Sequence, residues 1–495
     1  MLIRILLDEK LSHFTNLDVI SGKVLLHLLK KSHVTSIIVK LEGESKTRLL
    51  SANDMQRPLM EDHKFLYKIQ EVFPNKNSQN HAPSQQSFAS DVGQHVYPFR
   101  FKVPFNNMCL ITQNSSIRHV KQTLPPSLAG FSNEVEIFYY LKATVNRAGI
   151  FKENPRARET IIFLPIEPPR PEVVDGETYA RCHHQFNSVL GTSETKNTQR
   201  GIFNRKLKEK LTDSPMPNYL AGPRFVVDVR LPVPSILTCN RELPLRIIVK
   251  QLDDHLDPLY LQLLQIELIG YTKLRAQGIT QTKTNQWVVV SVGNTQMQIG
   301  SPRNAVGTET EIDSKYWLTK PLSSTIAPTF TTCIVSRVYE LGIRVGLNYG
   351  TFARNQGRAP VILPFRIPVK VYSGVTPPQA LLEATSIGVG SVAPLTEEQF
   401  LPNSPTDTRS GSTVEPAQSP RNHCLPQQEA FPCPDYHLSA QTALGYEEAP
   451  PSYEDAIAEN LPPLMAQRQY YVPISPSNDV SGFSRDNRRD QNSDR

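Results

Sequence analysis

Towards its far end the chain carries Pro450-Pro451-Ser452-Tyr453, with Glu447 and Glu448 before it and Glu454 and Asp455 after it. Two adjacent prolines hold the backbone near polyproline II before anything binds, and that ridge is the shape an aromatic-lined WW groove accepts. The tyrosine two places on offers a ring for a second pocket and a hydroxyl for a polar partner. The chemistry on offer is therefore recognition, with Pro450, Pro451 and Tyr453 as contact residues and the four acids raising the encounter rate with a basic rim. Ile457 follows Tyr453 by four residues, so one helical turn would bring both onto one side. Cys433-Pro434-Asp435-Tyr436 is a degenerate second copy that keeps Pro434 and Tyr436 but lacks the first proline, and chance accounts for it better than binding does.

Bond-making chemistry finds little support. Cys182-His183-His184 is the one metal-like cluster in the sequence, and no further pair at ligand spacing completes a set of four, so an irregular loop is favoured and neither a metal site nor a cofactor is expected. The six cysteines lie far apart with no C-x-x-C pair, which argues against a zinc ribbon, a redox motif or a disulfide scaffold. With no nucleophile elbow, H-E-x-x-H or phosphate loop, the chain is not expected to be an enzyme. Ser404, Ser419 and Ser475 each precede a proline in a polar stretch, where phosphorylation would add charge to an arm that is already negative.

The elements that must carry these residues are strands. Tyr97, Phe99, Phe101, Val103 and Phe105 share one face of a period-two run, with Pro98, Arg100, Lys102 and Pro104 on the other. Two outward prolines, which cannot donate ladder hydrogen bonds, point to a sheet edge or to the strand's ends. Val135 to Val145, Tyr339 to Leu347 and Phe365 to Val371 each hold an unbroken alternate-position apolar stripe. Further strand candidates are 23–29, 36–41, 161–165, 225–231, 245–249, 263–271 and 287–292. So many strands exceed one sandwich, and the expected fold is all-β, with two tandem immunoglobulin-like β-sandwiches at 1–171 and 224–374. Between them 172–223 is expected to be an irregular linker, 75–94 and 300–314 are polar surface loops, and 375–495 is expected to be a disordered Pro-rich acidic tail.

Charge divides at the same place. Of the net +6 over 495 residues, the part beyond Lys370 has seven Arg, no Lys and sixteen acids, so it carries −9 and the preceding body +15. A basic body suits acidic peptide segments or peripheral contact with anionic lipid, while no dense Lys/Arg block points to nucleic acid or to the nucleus. No run of eighteen apolar residues occurs, and the apolar patch in Met1 to Lys10 is too short for a signal-peptide core, so a soluble intracellular chain is expected.

Several stretches, in order, resemble the α-arrestins, the arrestin-related trafficking adaptors of fungi. Asn16-Leu17-Asp18-Val19-Ile20-Ser21-Gly22-Lys23-Val24 is similar to the family's opening turn, and Ile38-Val39-Lys40-Leu41-Glu42-Gly43 to its next strand and turn. His63 to Lys68, Tyr97 to Phe101 and Ile137 to Arg147 resemble its N-domain; Pro328 to Phe330, Tyr339 to Leu341 and Ile367 to Val371 resemble the end of its C-domain. The resemblance implies an adaptor in the cytoplasm, peripherally at plasma membrane and endosomes. Its arrestin module would hold cytosolic segments of membrane transporters or receptors, and its tail would recruit a WW-domain HECT-type ubiquitin ligase. A tail without lysine fits that role, since it leaves the body or the cargo as acceptor, and Lys250 beside Asp253-Asp254 is one candidate. The alternatives are an endosomal sorting scaffold or a signalling regulator that acts without the ligase.

Overall fold

The computed structural model describes residues 1–49, 58–74, 88–109, 119, 121–147, 153–172, 174–189, 219–350, 360–388, 456, 459–464 and 471. Successive side chains of a strand face opposite ways, so a run with every second residue apolar can bury one face. The first half builds nine such strands among the described residues: β1 (Leu2–Leu7), β2 (Val19–Leu28), β3 (Ser32–Leu49), β4 (Leu59–Phe73), β5 (Phe88–Ser90), β6 (Gly93–Lys102), β7 (Leu128–Gly130), β8 (Val135–Arg147) and β9 (Arg156–Ile161). A three-stranded sheet, β1-β2-β6, faces a six-stranded one ordered β4-β3-β8-β7, with β5 added to β3 and β9 to β8. Every pairing is antiparallel. On β8 the stripe Val135, Ile137, Tyr139, Leu141, Ala143 and Val145 is buried throughout, opposite Ile20, Val24, Phe99 and Phe101. Each such side chain contributes roughly 1.5–3 kcal/mol.

Two glycines that the resemblance assigns to turns lie inside strands. At Gly22 in β2 a Cβ would stand 2.3 Å from the Leu6 carbonyl oxygen, and at Gly43 in β3 it would stand 2.6 Å from the Phe65 ring. Both are needed for close approach, which a missing side chain permits. β6 does lie at a sheet edge, but only Pro98 faces outward; Pro104 lies beyond the strand and is buried.

The second half comprises β10 (Val174–Val189), β11 (Tyr219–Val233), β12 (Ile236–Thr238), β13 (Arg246–Gln251), β14 (Leu259–Ala276), β15 (Ile279–Gly300), β16 (Glu309–Glu311), β17 (Phe330–Thr331), β18 (Val335–Tyr349) and β19 (Val361–Tyr372). Two short α-helices, α1 (Lys315–Leu318) and α2 (Gln379–Gly388), follow in this half, and a 3-10 turn at Phe131–Asn133 precedes β8. One sheet runs β10-β11-β13-β16 and the other β12-β19-β18-β14-β15, with β17 on β18; only the β12–β19 pairing is parallel. The stripes Tyr339 to Leu347 and Phe365 to Val371 are buried between them.

In the stretch expected as a linker, 172–223, the described residues are mostly strand, β10 at Val174–Val189 and the start of β11 from Tyr219, so the second sandwich includes residues before 224. The inward side of β10 is Ala180, Cys182, His184 and Phe186, small or amphipathic residues whose stripe does not read as apolar. The strand expected at 161–165 is displaced upstream to β9, and Phe163 makes a single bridge to Phe14. Described parts of the two polar insertions also enter sheets, as β5 with the start of β6 and as β16.

The two sandwiches share core. Leu274, Ala276, Ala327, Phe330, Ile334 and Val335, all from the second half, lie in the amino-terminal cluster. Beside them Lys283 pairs with Glu134 at 2.7 Å, and Thr47 Oγ1 donates to the Arg275 carbonyl at 2.6 Å. Elsewhere Ser373 Oγ donates to the Pro165 carbonyl at 2.8 Å, and Arg170 clasps Glu167 and Thr238. No helix among the described residues is long and apolar enough to cross a membrane.

Candidate functional site

Pro450, Pro451 and Tyr453 lie outside the described residues, as do Pro434, Tyr436, Ser404, Ser419, Ser475 and Ile457. Beyond the motif, residues 456 and 459–464 are described, and 459–464 are seated on the body. Ala456, Glu459 and Asn460 have helical backbone, and Asn460 Nδ2 donates to the Ala456 carbonyl at 3.4 Å. Lys102, the last residue of β6, donates from Nζ to the Glu459 and Leu461 carbonyls at 2.7 and 2.5 Å. A lysine at the end of a helical turn is well placed, because the last carbonyls have no intrahelical donor and the dipole there is negative. Partial burial, with Arg100 and Lys68 nearby, pulls the Lys102 ammonium below its ordinary range, against the attraction of Glu459.

Beside that lysine a small apolar cluster takes the segment in. Leu461 and Leu464 pack on Leu17, Phe105 and Ile166 of the first sandwich and on Val375 and Leu381, which follow the second. Asn16 fixes this seat: its Nδ2 donates to the Pro104 and Phe105 carbonyls, and its Oδ1 accepts from the Ile166 amide at 3.0 Å. Further along, Tyr471 is 1% exposed and its hydroxyl donates to the Ser127 carbonyl at 2.6 Å. Burial pushes that phenol far above its usual range, and it feels the charges of Tyr339 and Arg337 in the second sandwich. Tyr139 of the first sandwich feels Tyr471 in turn. Of the region 375–495, then, the described residues are largely attached to the body. The sequence does hold the signal, since Leu461 to Leu464 and Tyr470-Tyr471-Val472 are apolar islands in a polar, acidic stretch.

Lys250 stands on β13 with its ammonium 3.0 Å from Glu309 on β16, and its side chain is 43% exposed. It is one rung of an ion-pair face across the four-stranded sheet. Arg181 meets Asp228 at 2.6 Å, Arg230 meets Asp228 at 2.8 Å, and Arg246 meets Glu177 at 2.8 Å and Glu311 at 3.0 Å. Basic charge on this face is largely matched by acids, so the body's surplus is not displayed here.

Cys182, His183 and His184 are consecutive on β10 and cannot converge. His183 points to solvent, Cys182 packs against the core, and the His184 ring sits edge-on to Phe186 at 4.6 Å, where burial lowers its pKa.

Comparison with known proteins adds the following. Residues 3–165 match the family described as "Arrestin (or S-antigen), N-terminal domain". The chain is 25% identical over 202 residues to a protein described as "Arrestin-related trafficking adapter 10" from Lachancea thermotolerans. That match covers 33% of this chain and 47% of the relative, so the chain spans about half the length of the protein it resembles.

Proposed function

We propose that this chain, whose residues 3–165 match the arrestin N-terminal domain family, is an adaptor in membrane trafficking that brings a WW-domain HECT-type ubiquitin ligase to cytosolic segments of a transporter or receptor. In this reading the two sandwiches hold the cargo, Pro450, Pro451 and Tyr453 hold the ligase, and cargo ubiquitination and endocytosis follow. The work is done in the cytoplasm, peripherally at plasma membrane and endosomes.

The observation that carries the proposal is the seating of residues 459–464 on the body. Tyr453 is three residues before Ala456, a span of at most about 11 Å of chain. A peptide so close to an anchor keeps its partner at high effective concentration beside the body, where a long free linker would dilute it. The lack of lysine beyond Lys370 leaves the body and the cargo as acceptors, and Lys250 offers an exposed amine engaged by a surface carboxylate.

The test is capture of the full chain by isolated WW domains of the ligase class. Wild type is retained, and Tyr453→Ala is lost while its circular dichroism stays that of an intact β protein. Undiminished capture of Tyr453→Ala overturns the assignment. Cargo internalisation that persists in cells without the ligase supports the scaffold alternative instead.

A further inference from the structure

Four side chains that are remote in sequence meet where the two sandwiches join: His63, Cys109, His119 and Cys333. One ligand atom from each lies within 4.8 Å of all the others. His63 Nε2 and His119 Nδ1 are 3.2 Å apart, the Cys109 and Cys333 sulfurs 3.9 Å, and Cys333 Sγ and His119 Nδ1 3.9 Å. Around a tetrahedral zinc, with bonds of about 2.3 Å to sulfur and about 2.05 Å to nitrogen, the edges come to about 3.4 Å for N···N, about 3.8 Å for S···S and about 3.6 Å for S···N. The three observed edges follow these lengths to within about 0.3 Å, and the other three are no longer than 4.8 Å.

The backbone holds the four in place. His63 is on β4 and only 2% exposed. Cys109 and His119 lie beside a neck formed by the Asn106–Thr123 bridge and by hydrogen bonds between Asn107 and Gln122. The Met108 amide donates to the Phe65 carbonyl at 2.7 Å, which ties that neck to β4 two residues from His63. Cys333 occupies the turn between β17 and β18, where Thr332 and Val335 bond each other through backbone and hydroxyl.

His63 Nδ1 and His119 Nε2, which point away from the cluster, are buried without a protein partner among the described residues. Asn107 Nδ2 donates to the Cys109 sulfur at 3.3 Å, the kind of outer contact that steadies a metal-bound thiolate.

We infer that His63, Cys109, His119 and Cys333 form a structural zinc site that staples the first sandwich to the β17–β18 turn of the second. Two thiolates and two neutral imidazoles around Zn²⁺ carry no net charge, which suits a half-buried seam. Four protein ligands leave no open position, so the site is structural and not catalytic. Soft sulfur with imidazole in tetrahedral array selects zinc over harder divalent cations. This differs from the expectation of no metal site drawn from the sequence. The spacings of 46, 10 and 214 residues between successive ligands form no local motif, and only the fold brings them together.

The test is elemental analysis of the full chain purified with a thiol reductant and no chelator. About one zinc per chain is expected in wild type and in Cys182→Ser, with loss of most of it in Cys333→Ser and His119→Gln. Because a variant could fail by misfolding, cobalt titration of zinc-stripped wild type provides a second readout: thiolate-to-cobalt charge transfer and the intense visible bands of tetrahedral coordination are expected. Wild type that takes up neither metal, zinc content unmoved by Cys333→Ser, or a mapped Cys109–Cys333 disulfide in the reduced preparation would each overturn the inference.

Discussion

Tyr139 of β8 and Tyr339 of β18 hold matching posts in the two sandwiches. Each is buried in a central strand, and each donates its hydroxyl to a carbonyl upstream, Pro125 at 2.5 Å and Ala327 respectively. Around these shared pegs the two halves close differently. The second sandwich fills its core with residues between Phe186 and Val371 and covers one face with its own ion pairs. The first takes in six apolar side chains from the second half and sits beside Tyr471, from more than three hundred residues away. One half is closed by its own chain, and the other is completed by side chains from the second sandwich and by Tyr471. That makes the first sandwich the place where domain docking and tail docking are energetically joined.

The sharpest way to break this contrast is at Tyr471. Replacing a fully buried tyrosine by alanine removes its packing and strands the Ser127 carbonyl, a loss of about 3 kcal/mol. Chemical denaturation of Tyr471→Ala should show that loss, with Tyr471→Phe costing about 1 kcal/mol. If the tail only brushes the body, both variants will match wild type.

A smaller effect is expected on the self-sufficient side, and it depends on pH. Arg181, and then Arg230, hold the Asp228 carboxyl below the usual carboxylate range against the opposing effect of burial. A group depressed in the folded state contributes stability above its unfolded pKa of about 3.9 and loses it as pH falls through the lower folded value. Asp228→Asn should therefore melt below wild type at neutral pH, with the gap closing below about pH 4. The deficit of Tyr471→Ala should be insensitive over that range, since a phenol does not titrate there. Least of all, Lys250→Ala should change stability by under about 0.5 kcal/mol, because its partner is an exposed carboxylate.

The contrast also explains what was legible beforehand. The stripes at Val135 to Val145, Tyr339 to Leu347 and Phe365 to Val371 follow from period two alone, and they settle the all-β class and the existence of two sandwiches. β10 does not read as a strand because, before Phe186, its inward residues are alanine, cysteine and histidine, which carry little hydropathy contrast. Gly22 and Gly43 look like turn residues in sequence, while their reason lies in the Leu6 carbonyl and the Phe65 ring that press on them. The Pro450-Pro451-x-Tyr453 motif reads in four letters. Its neighbour's seat on Lys102 and the four-ligand cluster do not, because each depends on contacts between residues tens to hundreds of positions apart.

Amide hydrogen exchange on wild type and Tyr471→Ala tests the unequal closure most directly. Protection should fall in the first sandwich around Ser127 to Phe163 and at the Lys102 end of β6, while β14, β18 and β19 exchange as before. Equal protection throughout both proteins, or a loss confined to the second sandwich, would contradict the account.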